Sequence, residues 1–189
     1  MIDIDYFEKC LEVLSQGGTI LFPTDTIWGI GCDATNRYAI DKVYTLKNRD
    51  RKKPLIVLAS DVAMIKRYVT RIHPKVETLL QFHTRPLTVI YDHLSGLATN
   101  VISTDNTIGI RIPQDKFCQE LIASFGCPIV ATSANMSNEA FPKSFGEIKT
   151  SVLSQVDFTI PYRQNDVNFL PPSAIVRLTK NEDLEFLRE

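Results

Sequence analysis

The sequence predicts an α/β domain in which helices flank a mixed sheet. Segments with helical spacing alternate with short aliphatic and β-branched runs along most of the 189 residues. Some of those runs follow one another with no helix between them, so antiparallel neighbours must accompany any parallel ones. No repeat, low-complexity stretch or linker interrupts the pattern, so a single domain over residues 1–189 is expected. A chain of that length buries a core without metal or disulfide staples.

Phe7, Cys10, Leu11 and Leu14 fall on one helical face, and Gly17-Gly18 ends that helix because glycine takes the left-handed conformation. Thr19-Ile20-Leu21-Phe22 reads as a buried strand closed by Pro23, and Trp28 to Cys32 as a second, short one weakened by Gly29 and Gly31. Ile40, Val43, Tyr44 and Lys47 return to helical spacing, then Leu55-Ile56-Val57-Leu58 forms a strand after Pro54. Ser60 is the expected N-cap of a helix over 61–69. His73-Pro74 opens the next helix, with Pro74 at its first position and Val76, Leu79 and Leu80 inward. Strands at 87–91 and 107–112 are separated by a polar loop. A helix over 115–125 ends at Gly126, and residues 128–132 form a strand. A polar stretch follows, then a helix near 146–153, and short strands around Phe158, Ile175 and Leu184 complete the order.

Composition removes whole classes of function. With 44% apolar and 23% charged residues the chain is not disordered. Apolar runs such as Ile129-Val130-Ala131 fall far short of the roughly 20 residues a membrane helix needs, so no membrane partner is expected. The acidic start, Met1-Ile2-Asp3-Ile4-Asp5, lacks the basic region of a secretory signal, so a cytoplasmic protein is expected. Cys10, Cys32, Cys118 and Cys127 show no CxxC spacing and no nearby histidine, which argues for reduced thiols over zinc or a redox pair. The 21 basic and 22 acidic residues leave a net charge of −1, so binding to nucleic acid must rest on a local patch.

Ligands of open α/β sheets sit beyond strand carboxyl ends, which directs attention to the segments that follow the strands. Pro23-Thr24-Asp25-Thr26 offers two hydroxyls and a carboxylate, suited to a small polar ligand or simply to turn capping. Residues 47–53 pack five cations, Lys47, Arg49, Arg51, Lys52 and Lys53, around one acid, Asp50. They suit a triphosphate or an RNA backbone, unless Lys47 only complements its helix end and the rest is a solvated loop. Ser133 and Asn135 follow an apolar strand, where they bind phosphate or an adenine edge, or cap the next helix. Arg111 interrupts Ile110-Arg111-Ile112-Pro113: facing inward it needs an anion, from a substrate carboxylate or a neighbouring Asp or Glu, and facing outward it belongs to an edge strand. No G-x-S-x-G elbow, phosphate loop or G-x-G-x-x-G is present, so neither an α/β-hydrolase nor a common nucleotide-binding fold is expected.

Taken together these segments resemble the YrdC-like threonylcarbamoyl-AMP synthases. The resemblance rests on Phe22-Pro23-Thr24-Asp25-Thr26-Ile27-Trp28-Gly29-Ile30-Gly31-Cys32-Asp33-Ala34, on Lys47-x-Arg49 with Pro54-Leu55, on Arg111-Ile112-Pro113, on Ala131-Thr132-Ser133-Ala134-Asn135 and on Ser173-Ala174-Ile175-Val176. It implies a twisted YrdC-like sheet with a cationic concave face. It also implies a nucleotidyltransferase that joins L-threonine, bicarbonate or CO2, and ATP into threonylcarbamoyl-AMP and pyrophosphate. A separate transferase then passes the group to the adenosine beside a tRNA anticodon. Carried over by position, Thr24, Arg111, Ala131 and Ser173 match the threonine site, and Arg49, Thr107, Ser133 and Arg188 the ATP site. Lys47 and Lys53 stand beside the phosphates, and Asn135 joins the ATP group. Lys47 and Arg49 position the phosphates, with Mg²⁺ bridging them and no general base assigned.

The chain departs from the family at three places. Thr84-Arg85-Pro86-Leu87-Thr88 replaces a Pro-Gly-Pro-x-Thr turn, Leu58 stands where many members have a threonine-site histidine, and Phe141-Pro142-Lys143 replaces a Ser-Pro-Thr segment whose serine touches ATP. Two alternatives stay open: a paralogue that activates another amino acid, and a non-catalytic tRNA- or double-stranded-RNA-binding module. The latter would use residues 47–53 with Lys66, Arg67, Arg71 and Arg85 as its phosphate-tracking face.

Overall fold

A computed structural model describes residues 4–167 and 170–189, so Met1 to Asp3 of the acidic amino terminus lie outside the described residues. In chain order the elements are α1 (Ile4–Ser15), β1 (Ile20–Phe22), β2 (Gly29–Asp33), α2 (Arg37–Leu46), β3 (Ile56–Leu58), α3 (Val62–Tyr68) and α4 (Pro74–Phe82). They continue with β4 (Leu87–Tyr91), β5 (Ile108–Arg111), α5 (Lys116–Phe125), β6 (Ile129–Ser133), α6 (Thr150–Leu153), β7 (Phe158–Thr159), β8 (Ala174–Leu178) and β9 (Leu184–Arg188). Among the described residues, nine strands join one sheet in the order β7-β1-β2-β6-β3-β5-β4-β8-β9. It is mixed as expected: β1–β7, β3–β5 and β4–β8 pair parallel and the other neighbours antiparallel.

Local chemistry explains most boundaries. Gly17 at φ 72° lies two residues beyond α1, and Gly126 at φ 82° caps α5, both in the left-handed region. His73 caps α4 through Nδ1 ahead of Pro74, and Asp115 caps α5 through the Cys118 N–H. The cap of α3 is Asp61, which accepts from Met64 N at 2.7 Å, and not the expected Ser60. Ser60 Oγ instead donates to Asp61 Oδ2 at 3.1 Å. The expected helix over 146–153 is broken into a 3₁₀ turn (Phe145–Glu147) and α6.

Strand alternation separates two faces. Val57, Val89, Ile110 and Val130 are fully or almost fully buried in the apolar core. The alternate residues, Ile56 and Leu58, Thr88 and Ile90, Gly109 and Arg111, and Ala131 and Ser133, line a cavity. One irregularity matters for that cavity. Phe186 pairs with Val176 but Arg188 pairs with Ile175, so Leu187 is an extra residue in β9. Such a bulge re-aims the side chains beyond it. Arg188 therefore shares the side of Ile175, and both line the cavity.

Candidate active site

The cavity holds about 420 Å³ and its wall brings together Thr24, Arg49, Thr107, Arg111, Ala131, Ser133, Ser173 and Arg188. These come from the turn after β1, the loop after α2, the ends of β5 and β6, the approach to β8, and β9. Ile56, Leu58, Ile90 and Ile175 supply apolar floor between the polar groups, the usual composition of a small-molecule site.

One end is a buried hydroxyl and guanidinium cluster. Thr24 Oγ1 lies 3.1 Å from Thr26 Oγ1 and donates to Ile27 O at 2.7 Å. Arg111 is 6% exposed and lies on β5, an interior strand between β3 and β4, so the edge-strand reading is corrected. Its Nη1 donates to Thr26 Oγ1 at 3.1 Å and its Nη2 to Asp25 Oδ1. Asp25 Oδ2 accepts from Gln114 N at 3.0 Å, which fixes the carboxylate. Arg111 thus takes its anion from a neighbouring aspartate, while its buried Nε has no partner among the described residues. Across the strand Thr88 Oγ1 lies 2.7 Å from Ser173 Oγ. Arg188 Nε and Nη2 donate to Ser173 O at 2.9 and 2.6 Å, so the bulged strand is tied to this cluster. Burial, followed by the nearby Arg111 charge, lowers the pKa of Arg188.

The other end faces the loop after α2. Arg49 Nε donates to Lys53 O at 3.0 Å and its Nη2 to Pro54 O at 2.9 Å, which orients the guanidinium on the cavity wall. Lys53 is exposed, and its Nζ donates to Asn138 Oδ1 at 3.1 Å, away from the wall. Lys47 departs most from expectation. It is 1% exposed, and Nζ donates to Ser133 O and, at 2.6 Å, to Asn135 O. Burial, and secondarily the Arg49 charge, lowers its pKa to about 7. Lys47, expected beside the phosphates, has its ammonium enclosed by the backbone carbonyls of Ser133 and Asn135. Asn135 is likewise turned away from the cavity, with Nδ2 on Glu139 O at 2.7 Å.

The sequence marks Asp25 and Thr26 only as groups of a turn suited to a small polar ligand, and it does not place Thr88 in the site. Asp25 and Thr26 lie inside a segment already singled out, but their partner Arg111 is 86 and 85 residues away. Thr88 closes the segment that stands for the family's Pro-Gly-Pro-x-Thr turn, but its partner Ser173 lies 85 residues away.

The family model Sua5_yciO_yrdC, described as "Telomere recombination", matches residues 12–189. The chain belongs to the Sua5/YciO/YrdC family. Among its relatives, a Hahella chejuensis protein named "Threonylcarbamoyl-AMP synthase" is 28% identical over 82% of this chain and 85% of its own length. A mouse protein of the same name is 35% identical over 72% of this chain and 48% of its own. In fold, the chain superposes on P. abyssi Sua5, solved with L-threonine, at a TM-score of 0.91 and 22% identity. That alignment covers all of this chain and 55% of the Sua5 chain, so the present chain spans little more than half the length of that solved relative. Sua5/YciO/YrdC membership accounts for the order of the segments along the chain, and the cavity gives them a common location.

Proposed function

We propose that this protein is an L-threonylcarbamoyl-AMP synthase, which makes threonylcarbamoyl-AMP and pyrophosphate from L-threonine, bicarbonate or CO2, and ATP. The observation that carries the reading is the convergence of Thr24, Arg49, Thr107, Arg111, Ala131, Ser133, Ser173 and Arg188, drawn from distant parts of the sequence, on one cavity. Threonine occupies the end formed by Thr24, Arg111, the Ala131 backbone and Ser173. Its carboxylate uses the Arg111 donors that Asp25 and Thr26 leave free. ATP lies along Arg49, Thr107, Ser133 and Arg188.

The neutral amine of bound threonine adds to the carbon of CO2 and releases one proton to water, which leaves a carbamate. A carbamate oxygen then attacks the α-phosphorus, the bond from that phosphorus to the bridging oxygen breaks, and pyrophosphate leaves with the electron pair. The residues contribute placement and fixed positive charge, which suffices for an in-line displacement. Mg²⁺ comes with the phosphate oxygens it prefers and offsets their charge. The product passes to a separate threonylcarbamoyl transferase acting on tRNA, all in the cytoplasm, with direct tRNA or double-stranded-RNA binding as an accessory property.

The test is pyrophosphate release from purified protein with ATP, Mg²⁺, bicarbonate and threonine. Threonine-dependent release is expected, and its absence beside an active relative run in parallel would sink the proposal. The apolar Leu58, paired in register with Arg111 on the cavity floor, favours one second reading, a paralogue that activates another amino acid. Release driven better by a different amino acid would select it.

A further inference from the structure

Lys47 grips one turn by two routes. Its side chain donates to Ser133 O and Asn135 O, and its own carbonyl accepts from Ser137 N at 3.0 Å. Between these contacts Ala134 is buried and donates its N–H to Trp28 O at 3.0 Å, so the turn is held at successive residues. Ser133 opens the turn and its side chain lines the cavity, as does Arg49, two residues beyond Lys47. The lysine joins the two halves of the nucleotide end without itself forming part of the wall.

We propose that Lys47 is a positioning residue: it fixes the turn at residues 133–137 through its carbonyls, and so places Ser133 against the bound nucleotide, while making no contact with the nucleotide itself. This rests on the reading of the cavity as an ATP site. It has a consequence that a phosphate-binding lysine lacks. A neutral amine carries two N–H groups, enough for two carbonyls, so the chain length and donors of Lys47 matter while its charge does not.

Calorimetric titration with ATP, alongside threonine titration, tests this on the full chain, unsubstituted and as Lys47→Met, Ser133→Ala and the double variant. Lys47→Met should weaken ATP binding about tenfold or more, the loss expected when a hydrogen bond to a charged group is misplaced, and leave threonine binding unchanged. Because Lys47 acts through Ser133, the double variant should be no weaker than the weaker single one, whereas independent contacts with ATP would add. In the unsubstituted protein, ATP affinity should stay level between about pH 7.5 and 8.5, above the last phosphate ionisation of ATP, with no proton taken up on binding at about pH 8. Additive losses, or an affinity that falls above about pH 7.5 with uptake of a proton, would overturn the positioning role. If Lys47→Met does not fold, Lys47→Gln, which keeps two N–H donors without a charge, takes its place in the comparison with Ser133→Ala and the double variant. No ATP binding by the unsubstituted protein would overturn the nucleotide-site reading, whereas full ATP affinity in Lys47→Met would overturn the role of Lys47 only.

Discussion

Enclosing Lys47 among carbonyls should make folding stability rise with pH. The folded group releases its proton near a pKa of about 7, against an ordinary value of 10.5 in the unfolded chain. Between those values the unfolded state holds a proton that the folded state has lost, so the unfolded state binds more protons and the free energy of unfolding increases with pH. Below the folded value both states are protonated and the dependence vanishes. At about 1.4 kcal/mol per pH unit, less the rounding near the folded pKa, the gain between about pH 6.5 and 8.5 is about 2 kcal/mol. For a chain of this size that corresponds to a rise of about 4–8 °C in melting temperature. The window stops there because buried cysteines oppose the trend above it: burial pushes the Cys10 thiol up to about 12, and Cys32 and Cys118 upward as well. Their unfolded forms ionise first. The assay is urea unfolding, or thermal unfolding where reversible, at half-unit pH steps for the unsubstituted chain and Lys47→Met. The methionine variant should lose most of the slope. A flat profile in the unsubstituted protein, or the same slope in both, would refute the argument.

Three further outcomes are expected. Arg49→Ala should reduce ATP use by at least tenfold and shift the melting temperature little, since its donors serve only its own loop; equal losses of activity and stability would count against it. Asp25→Asn leaves Arg111 buried without its anion and should cost about 3–5 kcal/mol by urea unfolding. Added threonine should then raise the melting temperature more than it does in the unsubstituted chain, because its carboxylate replaces the missing charge; an equal or smaller rise would argue against a carboxylate at Arg111. Arg188→Ala removes the guanidinium that lines the cavity opposite Ile175. ATP binding should weaken while far-ultraviolet circular dichroism stays native, and unchanged affinity would exclude Arg188 from the site.

The strands were legible because β-branched runs such as Ile129-Val130 sit between Gly126, which ends α5, and the polar stretch that opens at Ser133. Which strands neighbour one another was not legible. Periodicity is local: β4 and β5 follow one another across a loop, whereas β5 gains β3 as its other neighbour through a pairing that spans α3, α4 and β4. The difference between an edge and an interior Arg111 lies in that pairing. Ser60 and Asp61 are both good capping residues, and only backbone direction selects the one whose oxygen reaches Met64 N. Within the site, Thr24, Arg111, Ser133 and Ser173 were recognisable from the segments around them, but the burial of Lys47 was not. A lysine in a run of cations looks solvated, and nothing in the local sequence reveals that the turn after β6 folds over it.

The bulged β9 joins an exposed strand to a buried task. Each of its five residues is solvent-exposed, and among the described residues it forms one edge of the sheet with β8 as its neighbour. Edge strands of this kind open first in local unfolding. Yet Arg188 reaches the cavity wall from it. A ligand held by Arg188 therefore clasps the most weakly retained part of the fold, and the amides of β9 should exchange with deuterium more slowly when the cavity is filled. The same linkage makes nucleotide affinity a reporter of fraying, falling in mild denaturant before the rest of the sheet responds.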